Sequence, residues 1–115
     1  MIYWLIFLFI IINNNLKFTI MQIDVATSLI INKIKLIFEN EDIKTDVTQN
    51  MNLVGSNSYL DSMGLVELCL YLADKADEYN FEFDWTSEKA MSKSQGMFRT
   101  VNSLAVEYVS QYKKR

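Results

Sequence analysis

The chain contains no histidine and only one cysteine, Cys69, among its 115 residues. A single cysteine excludes an internal disulfide, and the lack of histidine excludes zinc sites built from cysteine and histidine. Nucleophilic mechanisms that depend on a histidine base are excluded for the same reason. We therefore expect this chain to catalyse nothing by itself and to hold no metal.

Basic residues are scarce in the middle of the chain. Between residues 61 and 88 the only one is Lys75, and the net charge there is about minus seven. The eight acidic residues of this stretch are Asp61, Glu67, Asp74, Asp77, Glu78, Glu82, Asp84 and Glu88. Such a balance argues against nucleic acid as a partner and favours proteins with basic surfaces.

A long apolar run is also absent. The longest, Met1 to Ile12, falls short of the about twenty residues that a spanning helix needs. It has neither the positive start nor the small-residue cleavage site of a secretory signal. Residues 1–20 are either translated sequence upstream of a start at Met21 or a weak membrane anchor. We expect membrane association to be the lesser alternative and one domain to cover residues 21–115.

Three segments have the apolar period of long helices. The first helix is predicted from Asp24 to Phe38, the second from Ser62 to Tyr79, and the last from Phe98 onward. The apolar stripe of the first consists of Ala26, Leu29, Ile30, Ile34 and Ile37; that of the second of Leu65, Leu68, Cys69, Leu72, Ala73 and Ala76; that of the last of Val101, Leu104, Ala105, Tyr108, Val109 and Tyr112.

The segments between these helices are shorter or irregular. Residues 39–59 lose the helical period, yet their spaced apolar residues predict a loop that packs onto the domain. Residues 81–85 alternate apolar and acidic side chains, which predicts an extended stretch with aromatic anchors. Residues 86–91 are predicted as a short helix and residues 92–96 as a connection. The expected fold is all-α: a four-helix bundle with three long helices, one short helix and a long loop between the first two.

The start of the second helix carries the clearest local signal. Asp61 and Ser62 stand directly before the apolar run, so Ser62 is predicted in the first helical turn. A phosphate ester on its hydroxyl would meet unpaired backbone amides and the positive end of the helix dipole.

The sequence Asp61-Ser62-Met63, followed by Val66-Glu67-Leu68, resembles the prosthetic-group signature of acyl carrier proteins. The resemblance covers about residues 21–112, because the order of helices also fits. Residues 98–109 look like the closing helix of carrier proteins, in which a Thr-Val pair, here Thr100-Val101, precedes an aromatic-aliphatic ending. It implies that Ser62 carries 4'-phosphopantetheine derived from coenzyme A, and that Asp61 assists the modification by helping to hold the magnesium of the phosphopantetheinyl transferase.

The resemblance also implies a docking surface and a set of partners. Its residues would be Met63, Val66, Glu67, Leu70 and Asp74, with the acidic side chains meeting basic patches. The partners would be the transferase and acyl ligases, synthases or acyltransferases of bacterial lipid, polyketide or surface-polysaccharide synthesis. The expected protein is a cytoplasmic monomer.

Three positions depart from the usual carrier pattern. Gly64 stands where many carriers have another acidic residue, and Ala73 and Lys75 dilute the acidic cluster farther along the helix. These departures favour dedicated partners over the enzymes of housekeeping fatty-acid synthesis.

Two other functions are compatible with the sequence. One is a non-catalytic adaptor that binds a basic partner through the second helix, with Ser62 serving only as a helix cap. The other is a membrane-anchored regulator that uses residues 1–12.

Overall fold

The computed structural model describes residues 2–9, 20–86 and 94–115. A helical segment covers residues 2–9. Four helices follow in the described part of residues 20–115: α1 (Ile23–Asn40), α2 (Ser62–Glu78), α3 (Ser94–Met97) and α4 (Val101–Lys113). The helix α1 contacts both α2 and α4. The predicted all-α bundle, with three long helices and one short one, is confirmed.

The bounds of the long helices agree closely with the prediction, except at the start of α4. That helix begins at Val101 instead of Phe98, because Thr100 is its N-cap. The Thr100 Oγ1 accepts a hydrogen bond from the Ser103 amide at 3.1 Å, and the Ser103 Oγ accepts one from the Thr100 amide at 2.9 Å. This reciprocal arrangement satisfies two amides that the helix itself leaves unpaired.

A short helix is present where the sequence predicts a connection. The segment 92–96, predicted as a connection, contains the start of α3, which is a correction. The helix predicted at residues 86–91 lies outside the described residues except for Thr86, which is in a bend.

Two positions beyond the end of each of α1 and α2 lies a residue in the left-handed conformation. These residues are Asp42, with φ of 56°, and Asn80, with φ of 63°. Asp and Asn tolerate this region better than other non-glycine residues, since their short polar side chains can bond locally. The amide of the next residue then bonds back to the helix, Ile43 to the Phe38 carbonyl at 2.8 Å and Phe81 to the Ala76 carbonyl at 3.1 Å.

The long loop before α2 is held against the start of α4. The Val101 amide donates to the Met51 carbonyl at 3.1 Å, and the Leu53 amide donates to the Arg99 carbonyl at 3.3 Å. Leu53 and Leu60 are buried in the core. The predicted packing of this loop is therefore confirmed, although Val54 is exposed.

The core surrounds Tyr108 of α4. Its ring makes edge-to-face contacts with Phe81 and Phe83, with ring centroids 5.0 and 4.9 Å apart, so these two residues are the aromatic anchors that the sequence predicts. Its hydroxyl donates a 2.7 Å hydrogen bond to the Leu72 carbonyl of α2. Burial raises the pKa of the Tyr108 hydroxyl well above its usual value, which keeps the hydroxyl protonated and able to donate.

The extended stretch is fixed to α4 at a second point. The Gln111 side chain accepts a hydrogen bond from the Asp84 amide at 2.7 Å and donates one to the Asp84 carbonyl at 3.0 Å. Together with the ring contacts of Tyr108, these two hydrogen bonds hold the extended stretch that follows α2 against α4.

Replacing Tyr108 with phenylalanine keeps the ring packing but removes the hydrogen bond to Leu72. We expect Tyr108→Phe to lower the free energy of unfolding by about 1 kcal/mol in urea titrations. Tyr112→Phe is the matched control, because no described residue forms a hydrogen bond with the Tyr112 hydroxyl. Equal stabilities of the two variants would contradict a role for the Tyr108 bond.

Candidate functional site

The N-terminus of α2 is built on Asp61, which is the N-cap of the helix. Its side-chain Oδ1 accepts a 2.7 Å hydrogen bond from the Gly64 amide. Its backbone carbonyl accepts the first intrahelical bond, from the Leu65 amide at 2.9 Å. Asp61 therefore fixes where α2 begins.

Ser62 is the first residue of α2 and is exposed. This confirms its predicted position in the first turn. Within the described part of the chain, no residue forms a hydrogen bond with its hydroxyl. The interpretation of Ser62 as the helix cap is wrong, because the capping side chain is that of Asp61. The hydroxyl of Ser62 thus has no structural partner that a modification would displace.

The neighbouring serines of the loop differ from Ser62. The Ser58 Oγ accepts a hydrogen bond from the Leu60 amide at 3.1 Å and donates one to the Leu60 carbonyl at 3.3 Å. Ser56 is exposed but lies in a turn outside any helix. Of these three serines, only Ser62 combines an exposed hydroxyl with a position at the start of a helix.

The backbone at this helix start can receive an anion. The amide of Gly64 is taken by the Asp61 side chain, whereas the amides of Ser62 and Met63 have no acceptor among the described residues. Such unpaired amides at the positive end of a helix favour a phosphate. A phosphate ester on the Ser62 hydroxyl would lie beside them.

Gly64 has a packing role at the start of α2. A Cβ atom at this position would lie 2.8 Å from Leu60 Cδ1 and 3.2 Å from Asp61 Oδ1. Leu60 is buried in the core. A side chain at residue 64 would therefore crowd both a core residue and the capping carboxylate.

The five residues predicted to bind partners are all exposed and share one face of α2. Met63, Glu67, Leu70 and Asp74 follow one another at steps of three or four positions, and Val66 lies three positions after Met63 and four before Leu70. This spacing places all five on adjacent turns of the same side. The residues of this surface, which we call the α2 face, are Met63, Val66, Glu67, Leu70 and Asp74. The exposed fractions of its three apolar members are 77% for Met63, 41% for Val66 and 54% for Leu70.

Two acidic residues of the α2 face differ in their surroundings. The Glu67 carboxylate forms an ion pair with Lys33 of α1, with 3.3 Å between Nζ and Oε1. Asp74 forms no ion pair with any described residue. Glu67 is thus partly neutralised, and Asp74 is the uncompensated negative charge of the face.

The contribution of Lys33 was not foreseen from the sequence. Lys33 lies off the apolar stripe of α1 and reaches both Glu67 and the ring of Tyr71, 5.3 Å from its centroid. The period of α1 shows that Lys33 is not a core residue, but only the packing of α1 against α2 brings it to the α2 face.

Cys69 lies on the buried side of α2, as its position in the apolar stripe predicts. Burial raises the pKa of its thiol to about 12, because the thiolate would be desolvated. A protonated, inaccessible thiol is a poor nucleophile. Cys69 therefore acts as a small core residue.

Comparison of the chain with protein-family models, with curated proteins and with solved structures found no match. Within the described residues, no helix is both long enough and apolar enough to cross a bilayer. Any functional assignment therefore depends on the residues of this chain and their arrangement.

Removing the Asp61 side chain should weaken the start of α2. We expect Asp61→Ala to reduce the free energy of unfolding by about 1 kcal/mol, because the Gly64 amide loses its acceptor. Asp61→Asn keeps an oxygen at the same position and should retain nearly all of the stability. Urea titrations of both variants provide the measurement, and a loss as large in Asp61→Asn as in Asp61→Ala would argue against the capping role.

Proposed function

We propose that this protein is an acyl carrier protein that holds a 4'-phosphopantetheine arm on Ser62. The observation that carries the proposal is the exposed Ser62 hydroxyl, which has no hydrogen-bond partner among the described residues and stands at the N-terminus of α2. The arm supplies the thiol that carries an acyl or aminoacyl group as a thioester. The chain's own residues position the attachment point and present it to partner enzymes.

The chemistry at Ser62 requires little of the chain itself. In the transfer from coenzyme A, the Ser62 Oγ bonds to the phosphorus of the arm, the pyrophosphate bond breaks, and adenosine 3',5'-bisphosphate leaves. The chain has no histidine, so the transferase would accept the hydroxyl proton. The unpaired amides of Ser62 and Met63 would then stabilise the resulting phosphodiester.

Asp61 would combine two tasks. Its Oδ1 caps α2 by accepting from the Gly64 amide. Its Oδ2 has no hydrogen-bond partner among the described residues, so it remains available to the magnesium ion of a transferase. The same carboxylate would thus fix the position of Ser62 and assist its modification.

The α2 face would receive the partner enzymes. Its apolar residues begin at Met63, directly beside the attachment point, so a protein bound to this face would lie close to the arm. An exposed apolar stripe beside an uncompensated acidic residue is complementary to an apolar patch with a basic rim. Tethering would raise the effective concentration of the cargo at the docked enzyme.

The same face also supports a second candidate function. A non-catalytic adaptor would use Met63, Val66, Leu70 and Asp74 to bind a basic protein without any arm. This candidate keeps the binding surface but leaves the exposed Ser62 without a role. The two functions are distinguished by modification at Ser62.

We expect the protein to gain the mass of one phosphopantetheine when it is incubated with coenzyme A, magnesium and a broad-specificity phosphopantetheinyl transferase. Intact-mass spectrometry gives the readout. Ser62→Ala should not gain this mass, and its circular dichroism spectrum should be unchanged. A folded sample that remains unmodified with several transferases would refute the carrier and leave the adaptor.

Changing Leu70 to glutamate should impair docking without unfolding the domain, because the side chain is exposed. We expect the kcat/KM of arm transfer to fall by about tenfold, as for loss of an apolar anchor in a protein interface. Leu36→Glu is the matched control, since Leu36 of α1 is equally exposed at 54%. Equal effects of both changes would show that the α2 face does not bind the transferase.

A further inference from the structure

The helical segment at residues 2–9 exposes all of its side chains. Their exposed fractions range from 38% for Leu8 to 87% for Tyr3. The segment reads Ile-Tyr-Trp-Leu-Ile-Phe-Leu-Phe, and the first charged residue of the chain is Lys17. The core of the domain therefore does not cover this helical segment. Its apolar side chains can be removed from water only by something outside the domain.

The distribution of these side chains identifies what covers them. At about 100° per residue, eight residues make more than two turns, so apolar side chains project on every side of the helix axis. A shallow groove on a protein surface, or a single second copy of the segment, covers only one side of a helix. Lipid surrounds an inserted helix, and an all-round apolar surface is typical of such surroundings.

The length of the segment sets the depth of insertion. Even the whole apolar run of residues 1–12 would extend only about 18 Å as a helix, whereas the hydrocarbon core of a bilayer is about 30 Å thick. The segment can therefore enter one leaflet without crossing the membrane.

We propose that residues 2–9 insert into one leaflet of a lipid bilayer and hold the domain at the membrane surface. This inference does not depend on the carrier function, and it reverses the expectation from the sequence that membrane association is the lesser alternative. The segment has no charge and the whole chain has a net charge of minus three, so anionic lipids would not attract it. The burial of apolar side chains drives the insertion, and the insertion is insensitive to salt.

The test uses the full chain with Trp85→Phe, which leaves Trp4 as the only tryptophan. On addition of phosphatidylcholine vesicles, Trp4 fluorescence shifts to shorter wavelength and is quenched by brominated acyl chains. The same response is expected at 0.1 and 1 M sodium chloride, where the Debye screening length is about 10 Å and about 3 Å, respectively. No shift, or a response that is lost at high salt, would overturn the proposal.

A pair of variants connects the response to the segment. Adding Phe7→Glu places a charge among the inserted side chains and should weaken vesicle binding at least about tenfold. Adding Leu36→Glu instead, on the exposed side of α1, should leave binding unchanged. Analytical ultracentrifugation without vesicles provides the remaining check. If the protein self-associates and Phe7→Glu abolishes this self-association, then a second copy of the chain, and not lipid, covers the segment, and the proposal is overturned.

Discussion

The hydrogen bond from the Gly64 amide to the Asp61 carboxylate is the constraint on which the candidate site depends. It sets the first residue of α2 and thereby places Ser62 at the helix start, with its hydroxyl exposed. Because Asp61 supplies the cap, Ser62 is not needed for this purpose. The missing side chain at Gly64 keeps this arrangement uncrowded, since a Cβ would approach both Leu60 and Asp61. Local packing and the availability of Ser62 are thus linked.

The rest of the bundle holds this helix start in place. Tyr108 connects α4 to the middle of α2 through its hydrogen bond to the Leu72 carbonyl, and Leu60, the residue just before the cap, is itself buried in the core. On the outer side, Lys33 of α1 pairs with Glu67. A partly exposed ion pair of this kind contributes little stability, but it offsets part of the negative charge of the α2 face and leaves Asp74 as the uncompensated charge available to a basic partner.

Much of the fold could be predicted from the sequence, because three helices have regular apolar stripes that place Ile34, Leu68 and Leu104 in the core. The start of α4 was harder to predict from the sequence, because the apolar pattern extends back to Phe98. The capping hydrogen bonds between Thr100 and Ser103 instead begin the helix at Val101. The sequence located Ser62 in the first turn but could not decide which of two adjacent capping residues accepts the amide. Contacts between helices, such as that of Lys33 with Glu67, depend on packing and leave no signal in the period of either helix.

The central claim is that Ser62 in particular receives the arm, and site mapping of the unmutated protein tests it most directly. The peptide between Lys44 and Lys75 contains Ser56, Ser58 and Ser62, so fragmentation by tandem mass spectrometry can separate them. After incubation with coenzyme A and a transferase, fragments should place the phosphopantetheine on Ser62 alone. Its appearance on Ser56, on Ser58 or on a serine outside this peptide would contradict the account.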